Sequence, residues 1–447
     1  METTDTIVAP ATPAGISALA VIRVSGEDAL DIVSSCFTKD LSKADGYTIH
    51  YGHIKDGEQL IDEVLVSVFR NPHSYTGEDS VEISGHGSTY VSQRIIGTLT
   101  KAGARMADAG EFTLRAFLNK KLDLAQAEAV ADMISANSEA SLQMAMDQMR
   151  GGFSKEIAAL RQELIDFAAL IELENDFGEE DVEFANRDHL KDLIFRLLKS
   201  IEQLRSSFSS GNVLKHGINT VIAGKPNAGK STLLNALLKE DRAIVSEEAG
   251  TTRDTIEEIF TVKGVQFRLI DTAGLRESAN TIEQIGVGKT KEKMAKAELL
   301  IYLFDLSSTS PSELEAELAH LPDSKHLIII GNKADTITIN ESQWPEELIC
   351  LSAKNGEIDL LLKQLENIAA SYELGNETVV NNVRHADALQ KSAQALQKVL
   401  DGIDQGVTND FIALDIRQSL HQLGLITGEV SNDEVLDSIF GRFCIGK

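Results

Sequence analysis

Cysteine is scarce. The 447 residues contain three thiols, Cys36, Cys350 and Cys444, far apart, odd in number and without a Cys-x-x-Cys pair, which argues against both a disulfide framework and a zinc site. A reduced, cytoplasmic setting is expected. Basic residues are also in short supply: 42 Lys and Arg against 69 Asp and Glu give a net charge of −27, and such a chain repels nucleic acid at long range. Any RNA contact is then local or shared with a partner. Long apolar runs are missing too. LLIYLF at 299–304 has the length of a buried strand, well below the ~18 residues of a membrane span. The start METTDTIVAP lacks a basic segment followed by an apolar one, so no membrane association is expected.

What is present supports several cores. With 43% apolar residues, a chain of this length divides into about three domains. Up to about residue 118, strand-like text such as SALAVIRVSG and DEVLVSVFR alternates with Gly, Pro and Ser punctuation, as in an α+β domain. From 119 the text turns helical: KLDLAQAEAVADMISANSEASLQMAMDQM carries no proline, and Leu160, Leu164, Phe167 and Ile171 recur at helical spacing. Leu190, Ile194, Leu197, Ile201 and Leu204 continue the rhythm. The acidic run at 172–184 reads as a solvated segment. Between 216 and 378, the runs NTVIAG, FRLID, LLIYLFD, HLIIIG and LICLSA alternate with helical stretches, which predicts a doubly wound parallel sheet covered on both faces. Helical text then resumes, with Leu389, Ala393, Leu396 and Leu400, then Ile412, Ile416, Leu420 and Leu423. An α/β unit is therefore expected to interrupt a helical domain, giving segments 1–118, 119–215, 216–378 and 379–447.

Within the α/β unit, GKPNAGKS from Gly224 to Ser231 fits G-x-x-x-x-G-K-[ST]. It follows a predicted strand and opens a predicted helix, the context that makes the pattern specific. Backbone amides and the helix N-terminus would face phosphate oxygens, Lys230 would neutralise them, and the Ser231 hydroxyl would ligate magnesium. Three motifs follow in order. DTAG, Asp271 to Gly274, places a carboxylate to hold magnesium through water and an amide to sense the γ-phosphate. NKAD, Asn332 to Asp335, supplies a carboxylate that accepts two hydrogen bonds from the guanine edge, a face adenine lacks. SAK, Ser352 to Lys354, closes over the base. Together they specify GTP. GTTRD, Gly250 to Asp254, lies where a switch segment offers a threonine to magnesium, and Thr252 is the choice. Leu275 stands where small signalling GTPases place a water-orienting glutamine. Glu277 and Glu283 are the acidic residues near enough in sequence to take over that task.

The chain as a whole resembles the tRNA-modifying GTPase family known as MnmE or TrmE. The resemblance rests on DTIVAPATP, RVSG, SYTGEDSVEISGHG, GEFTLRAFLNKKLDLAQAEAVAD, GKPNAGKSTLLNAL, AGTTRD, DTAGLRE and the terminal FCIGK, which span nearly the full length. It implies an N-terminal domain that binds a formyl- or methylene-tetrahydrofolate and makes a homodimer, a helical domain, and an inserted Ras-like P-loop G domain. It also implies an FAD-dependent partner, MnmG or GidA. The two together add an aminomethyl or carboxymethylaminomethyl group to carbon 5 of the tRNA wobble uridine.

The family's nucleotide contacts carry over to Asn227, Ala228, Gly229, Lys230, Ser231, Thr232, Ser246, Glu247, Glu248, Ala249, Gly250, Thr251, Thr252, Asp271, Thr272, Ala273, Gly274, Asn332, Lys333, Asp335, Ser352, Ala353 and Lys354. Potassium, which stands in for an arginine finger, would be held by Asn227, Ser246, Glu248 and Thr251, and magnesium by Ser231 and Thr252. Glu283 takes the water-orienting role. Folate contacts map to Arg23, Glu82, Lys121 and Lys447, where cations suit the glutamate carboxylates and a carboxylate suits pterin N–H groups. The tail thiol Cys444 has Arg442 and Lys447 nearby to favour the thiolate, and the resemblance implies a part in the uridine chemistry or in its active-site architecture; the plainer alternative is a small residue that docks the tail. As a prenylation box the tail fits poorly, because Gly446 and Lys447 depart from that pattern. The rival reading is a regulatory or ribosome-assembly GTPase without modification chemistry. Such proteins usually carry a basic RNA-binding appendage, whereas this chain is acidic.

Overall fold

The computed structural model describes residues 5–176, 187–239, 258–270, 294, 297–322, 324–338, 344–372 and 378–447, with side chains at 172–176 and 189 also left aside. It divides into two compact units. One comprises Met1–Ile134, Asp147–Lys199 and Ala388–Lys447, the other Ser135–Met146 and Ser200–Asp387.

The first unit opens with a mixed sheet and two helices: β1 (Ile7–Pro10), β2 (Leu19–Ser25), α1 (Ala29–Cys36), β3 (Thr48–Asp56), β4 (Gln59–Phe69), β5 (Ser80–His86), α2 (Thr89–Lys101) and β6 (Arg105–Met106). The strand order is β3-β4-β5-β2-β1-β6, antiparallel except for the short β1–β6 pair. β4 shows why a sheet forms. Val64, Val66 and Val68 are buried while Glu63 and Leu65 are exposed, the period of two expected of a half-buried strand. Its valines join Ile22, Val24, Val81 and Ile83 against Ile32, Val33, Ile95 and Leu99 of α1 and α2 in one core.

Helices follow: α3 (Glu111–Leu118), α4 (Leu124–Ser135), α5 (Glu139–Met149), α6 (Gly152–Asp176) and α7 (Arg187–His216). The stretch that reads as continuously helical breaks after Ser135, because the Ser138 hydroxyl accepts the Ser141 amide at 3.1 Å and opens a new helix. Leu160, Leu164, Phe167 and Ile171 of α6 are buried, as are Leu190, Ile194 and Leu197 of α7. Beyond residue 382 run α11 (Val383–Asp404), α12 (Asn409–Thr427) and α13 (Asp433–Phe440), numbered after α8–α10 of the second unit. Arg161 of α6 donates to the Leu420 carbonyl of α12 at 2.9 Å.

The second unit is built on β7 (Ile218–Ala223), α8 (Lys230–Lys239), β8 (Glu258–Val262), β9 (Val265–Leu269), β10 (Leu299–Asp305), α9 (Pro311–Leu318), β11 (His326–Asn332), β12 (Ile349–Cys350) and α10 (Asp359–Ala370). The sheet order is β12-β11-β10-β7-β9-β8. The predicted runs are the five parallel strands. β8, which the sequence reading leaves out, is antiparallel to β9. Along β10, Leu299, Ile301 and Leu303 enter one core and Leu300, Tyr302 and Phe304 another. A central strand buried on both faces reads as a continuous apolar run for this reason.

Candidate functional site

At the C-terminal end of β7 the chain turns through Gly224–Gly229 into α8. Gly224 has φ +146°, and a Cβ there would lie 1.9 Å from the Leu303 carbonyl oxygen. Gly229, at φ +99°, would bring a Cβ to 2.1 Å from the Asn332 Nδ2. Only glycine fits either place. Between them Asn227 takes the left-handed conformation, φ +64°, and the loop curls back so that the Ala228 amide donates to the Lys225 carbonyl at 3.3 Å just ahead of the helix N-terminus, a turn type that forms anion-binding nests. The Lys230 ammonium lies over this loop, donating to the carbonyls of Gly224 at 2.8 Å and Lys225 at 2.9 Å.

Asn332 ends β11 and is almost fully buried. Its amide nitrogen donates to the Ala228 carbonyl at 2.8 Å, and its Oδ1 accepts the Ala353 amide at 3.0 Å. One side chain thereby joins the phosphate loop to the Ser352–Lys354 loop. Lys333 is left-handed, φ +63°, and leads into a 3-10 turn, Ala334–Thr336, on which Asp335 is exposed. Ser352 and Ala353 are buried while Lys354 is exposed. The structure thus brings Asn227, Ala228, Gly229, Lys230, Ser231, Asn332, Lys333, Asp335, Ser352, Ala353 and Lys354 to the loops, strand end and first helical turns that follow β7, β11 and β12, with Thr232 exposed in the first turn of α8. This edge of a doubly wound sheet is where ligands bind. Ser246, Glu247, Glu248, Ala249, Gly250, Thr251, Thr252, Asp271, Thr272, Ala273, Gly274 and Glu283 lie outside the described residues.

The first unit carries a second cluster. Arg23 of β2 faces Glu82 of β5 in register, and its Nε and Nη2 donate to Glu82 Oε1 at 3.0 and 2.8 Å. The guanidinium lies over the rings of Tyr75, at 5.1 Å, and Phe112, at 5.7 Å. The C-terminal tail reaches the same region. α13 packs on α3 through Phe440 and Phe117, and Ile445 forms an antiparallel bridge with Ala109. Gly446, at φ +99°, would place a Cβ 2.0 Å from the Pro10 carbonyl oxygen. Burial lowers the Lys447 pKa; the Cys444 sulfur opposes this and the Arg23 charge adds to it. Pro10 ends β1 beside β2, the strand that bears Arg23, so the tail carrying Cys444 and Lys447 reaches the neighbourhood of the Arg23–Glu82 pair, with Cys444 exposed. Lys121 sits on the neighbouring 72–77 loop, where its amine donates to the Pro72 carbonyl at 2.9 Å and its stem touches Gly77.

Sequence reasoning missed a buried charge network on α3 of the same unit. Arg115, 1% exposed, donates to Asp5 Oδ1 at 2.6 Å and Glu111 Oε1 at 2.9 Å, and Glu111 also accepts Arg105. An arginine between Leu114 and Ala116, four residues after Glu111 on a short helix, is the available signal, but its other partners, Asp5 and Glu78, are remote in sequence.

Two family profiles match the chain, one described as GTP-binding protein TrmE N-terminus over residues 6–121 and one as MnmE helical domain over residues 124–444. The tRNA modification GTPase MnmE of Flavobacterium johnsoniae is 53% identical over 462 residues, covering 99% of each chain. The same-named protein of Christiangramia forsetii is 51% identical over 474 residues, covering the whole of both. Among solved structures, the G domain of the T. maritima FeoB iron transporter is 26% identical over 35% of this chain and 98% of its own, at a TM-score of 0.25.

Proposed function

Since the chain belongs to the MnmE (TrmE) family, we propose that it is a GTP hydrolase acting in tRNA modification, and that its cycle is potassium-activated. In this reading residues 216–378 are an inserted Ras-like G domain, 119–215 and 379–447 the two parts of a helical domain, and 1–118 a folate-binding and dimerising domain. The carrying observation is Asn332. Its two hydrogen bonds tie the phosphate loop to the loop that would cover the base, so one site holds both ends of a nucleotide.

The described residues fit a guanine nucleotide with magnesium. Gly224 and Gly229 keep side chains out of the loop, Lys230 provides a cation at its mouth, and Ser231 stands in the first turn of α8, where a metal-ligating hydroxyl belongs. Asp335 selects guanine by accepting its N–H edge. Magnesium and potassium would supply charge compensation to the developing transition state, held by Ser231 and Thr252, and by Asn227, Ser246, Glu248 and Thr251. Glu283 orients water in place of the missing glutamine.

In the first unit, the Arg23–Glu82 pair leaves Glu82 Oε2 without a hydrogen bond among the described residues, an acceptor suited to pterin N–H groups. Arg23, Lys121 and Lys447 suit the acidic end of a tetrahydrofolate derivative. Cys444 beside them acts in the uridine chemistry, which adds an aminomethyl or carboxymethylaminomethyl group with the FAD-dependent MnmG/GidA partner. The setting is cytoplasmic. Among the described residues no helix is long and apolar enough to cross a membrane.

The test is GTP turnover by the purified protein in potassium and in sodium chloride at equal ionic strength. Turnover several-fold higher in potassium supports the reading. Equal rates would remove the potassium cage.

A further inference from the structure

The register of β10 and β11 sets Asp305 directly beside Asn332. Asp305 is the last residue of its strand, and its carboxylate is fully engaged: Oδ1 accepts the Ser307 amide at 2.9 Å and the Ser307 hydroxyl at 2.6 Å, while Oδ2 accepts the Lys333 ammonium at 2.6 Å. Its carbonyl accepts the amides of Ser308 and Thr309, and the Leu306 amide donates to the Asn332 carbonyl at 3.1 Å. The turn after β10 is thus stitched to the Asn-Lys-x-Asp loop by backbone and side chain together. An exposed ion pair between two free side chains contributes little. Here the acid is rigid and partly buried, and Lys333 leaves a left-handed backbone, φ +63°. Burial works against ionisation of Asp305, but the bonds from Lys333 and Ser307 outweigh it and keep the carboxyl below the usual range, so the anion is present at neutral pH.

We propose that Asp305 is a positioning residue of the nucleotide site, which fixes the Lys333 side chain, two residues before Asp335, so that the base-binding loop is pre-formed before nucleotide arrives. This rests on the reading of the loop as the guanine-binding end of a GTP site. A lysine released from Asp305 would sample many rotamers, and ordering it on binding would weaken affinity without touching the chemical step. The bonds from Ser307 stay within the turn after β10, whereas the carboxylate reaches the base-binding loop through Lys333, so its effect on affinity disappears once Lys333 is gone.

The experiment is a double-mutant cycle with Asp305→Asn and Lys333→Met in the full chain, read by Kd for a fluorescent GDP analogue, by kcat and KM for GTP, and by thermal midpoint without nucleotide. Asp305→Asn is expected to raise Kd and KM about 10-fold with kcat within twofold of wild type, and the double variant to bind no more weakly than Lys333→Met. Wild-type affinity in Asp305→Asn, or multiplicative losses in the double variant, would overturn the proposal. Thermal midpoints shifted by Asp305→Asn with no change in Kd would assign it a structural role instead and overturn it equally. Failure of the wild-type protein to bind the guanine analogue at all would defeat the nucleotide reading itself, a separate outcome.

Discussion

The Asn332 side chain spans 104 residues of sequence to donate a 2.8 Å hydrogen bond to the carbonyl of Ala228, inside the phosphate loop. Its other end accepts the Ala353 amide, and all three residues are buried. Truncation to alanine would strand a carbonyl and an amide, each costing about 1–3 kcal/mol when unsatisfied. Asn332→Ala should therefore lower the thermal midpoint of the nucleotide-free protein and weaken GTP binding by 10-fold or more. Unchanged affinity by isothermal titration would show that the two loops hold their places independently.

Guanine selection is assigned to one carboxylate. Asp335→Asn exchanges an acceptor for a donor, which no longer suits the guanine 2-amino group and suits the 2-oxo group of xanthine. The variant should lose GTP turnover at micromolar substrate and gain turnover of XTP. Retained preference for GTP over XTP would place base recognition elsewhere.

The buried charge network of the first unit makes its stability acid-sensitive. Burial of Glu111 favours protonation, but hydrogen bonds from Arg105, the Asp108 amide and Arg115 outweigh it, and its pKa falls below the ordinary 4.5. A depressed carboxylate contributes stability that is present above its unfolded pKa and lost as pH falls through the folded one. Glu111→Ala leaves Arg115 buried without this partner, at a cost of about 3–5 kcal/mol, and should flatten the acid limb of the stability profile. Urea unfolding at pH 7 and pH 3 measures both. Parallel losses in wild type and variant between the two pH values would exclude Glu111 as the titrating group.

Gly446 fixes the tail by close approach to Pro10. An alanine there meets the Pro10 carbonyl oxygen and must also hold φ +99°, so Gly446→Ala should displace Cys444 and Lys447 while leaving the cores intact. Affinity for 5-formyltetrahydrofolate is expected to fall about 10-fold with little change in thermal midpoint. Equal affinity in the two proteins would separate the tail from folate binding.

The sequence made the phosphate loop legible because its eight residues need glycine at two contact points and sit between an apolar run and a helical one. The same holds for the five parallel strands, whose two-sided burial shows as unbroken apolar text. β8 escaped because its burial alternates, although Lys263 and Gly264, both at positive φ, form the kind of two-residue turn that announces a hairpin. Arg23 and Glu82 come singly from the family resemblance, and their pairing comes from the strand register. The setting of Arg23 over Tyr75 and Phe112 depends on contacts across 52 and 89 positions, which no local pattern encodes. Asp305 was invisible for a similar reason: it reads as the polar end of a strand, and its role appears only when register sets it beside Asn332.

The most direct measurement is a nucleoside digest of tRNA from cells lacking this protein, complemented with wild type or with Asp335→Asn. Loss of the carbon-5 modification at wobble uridine, restored by wild type and not by the variant, is the predicted result. Wobble uridines that remain fully modified in its absence would contradict the account.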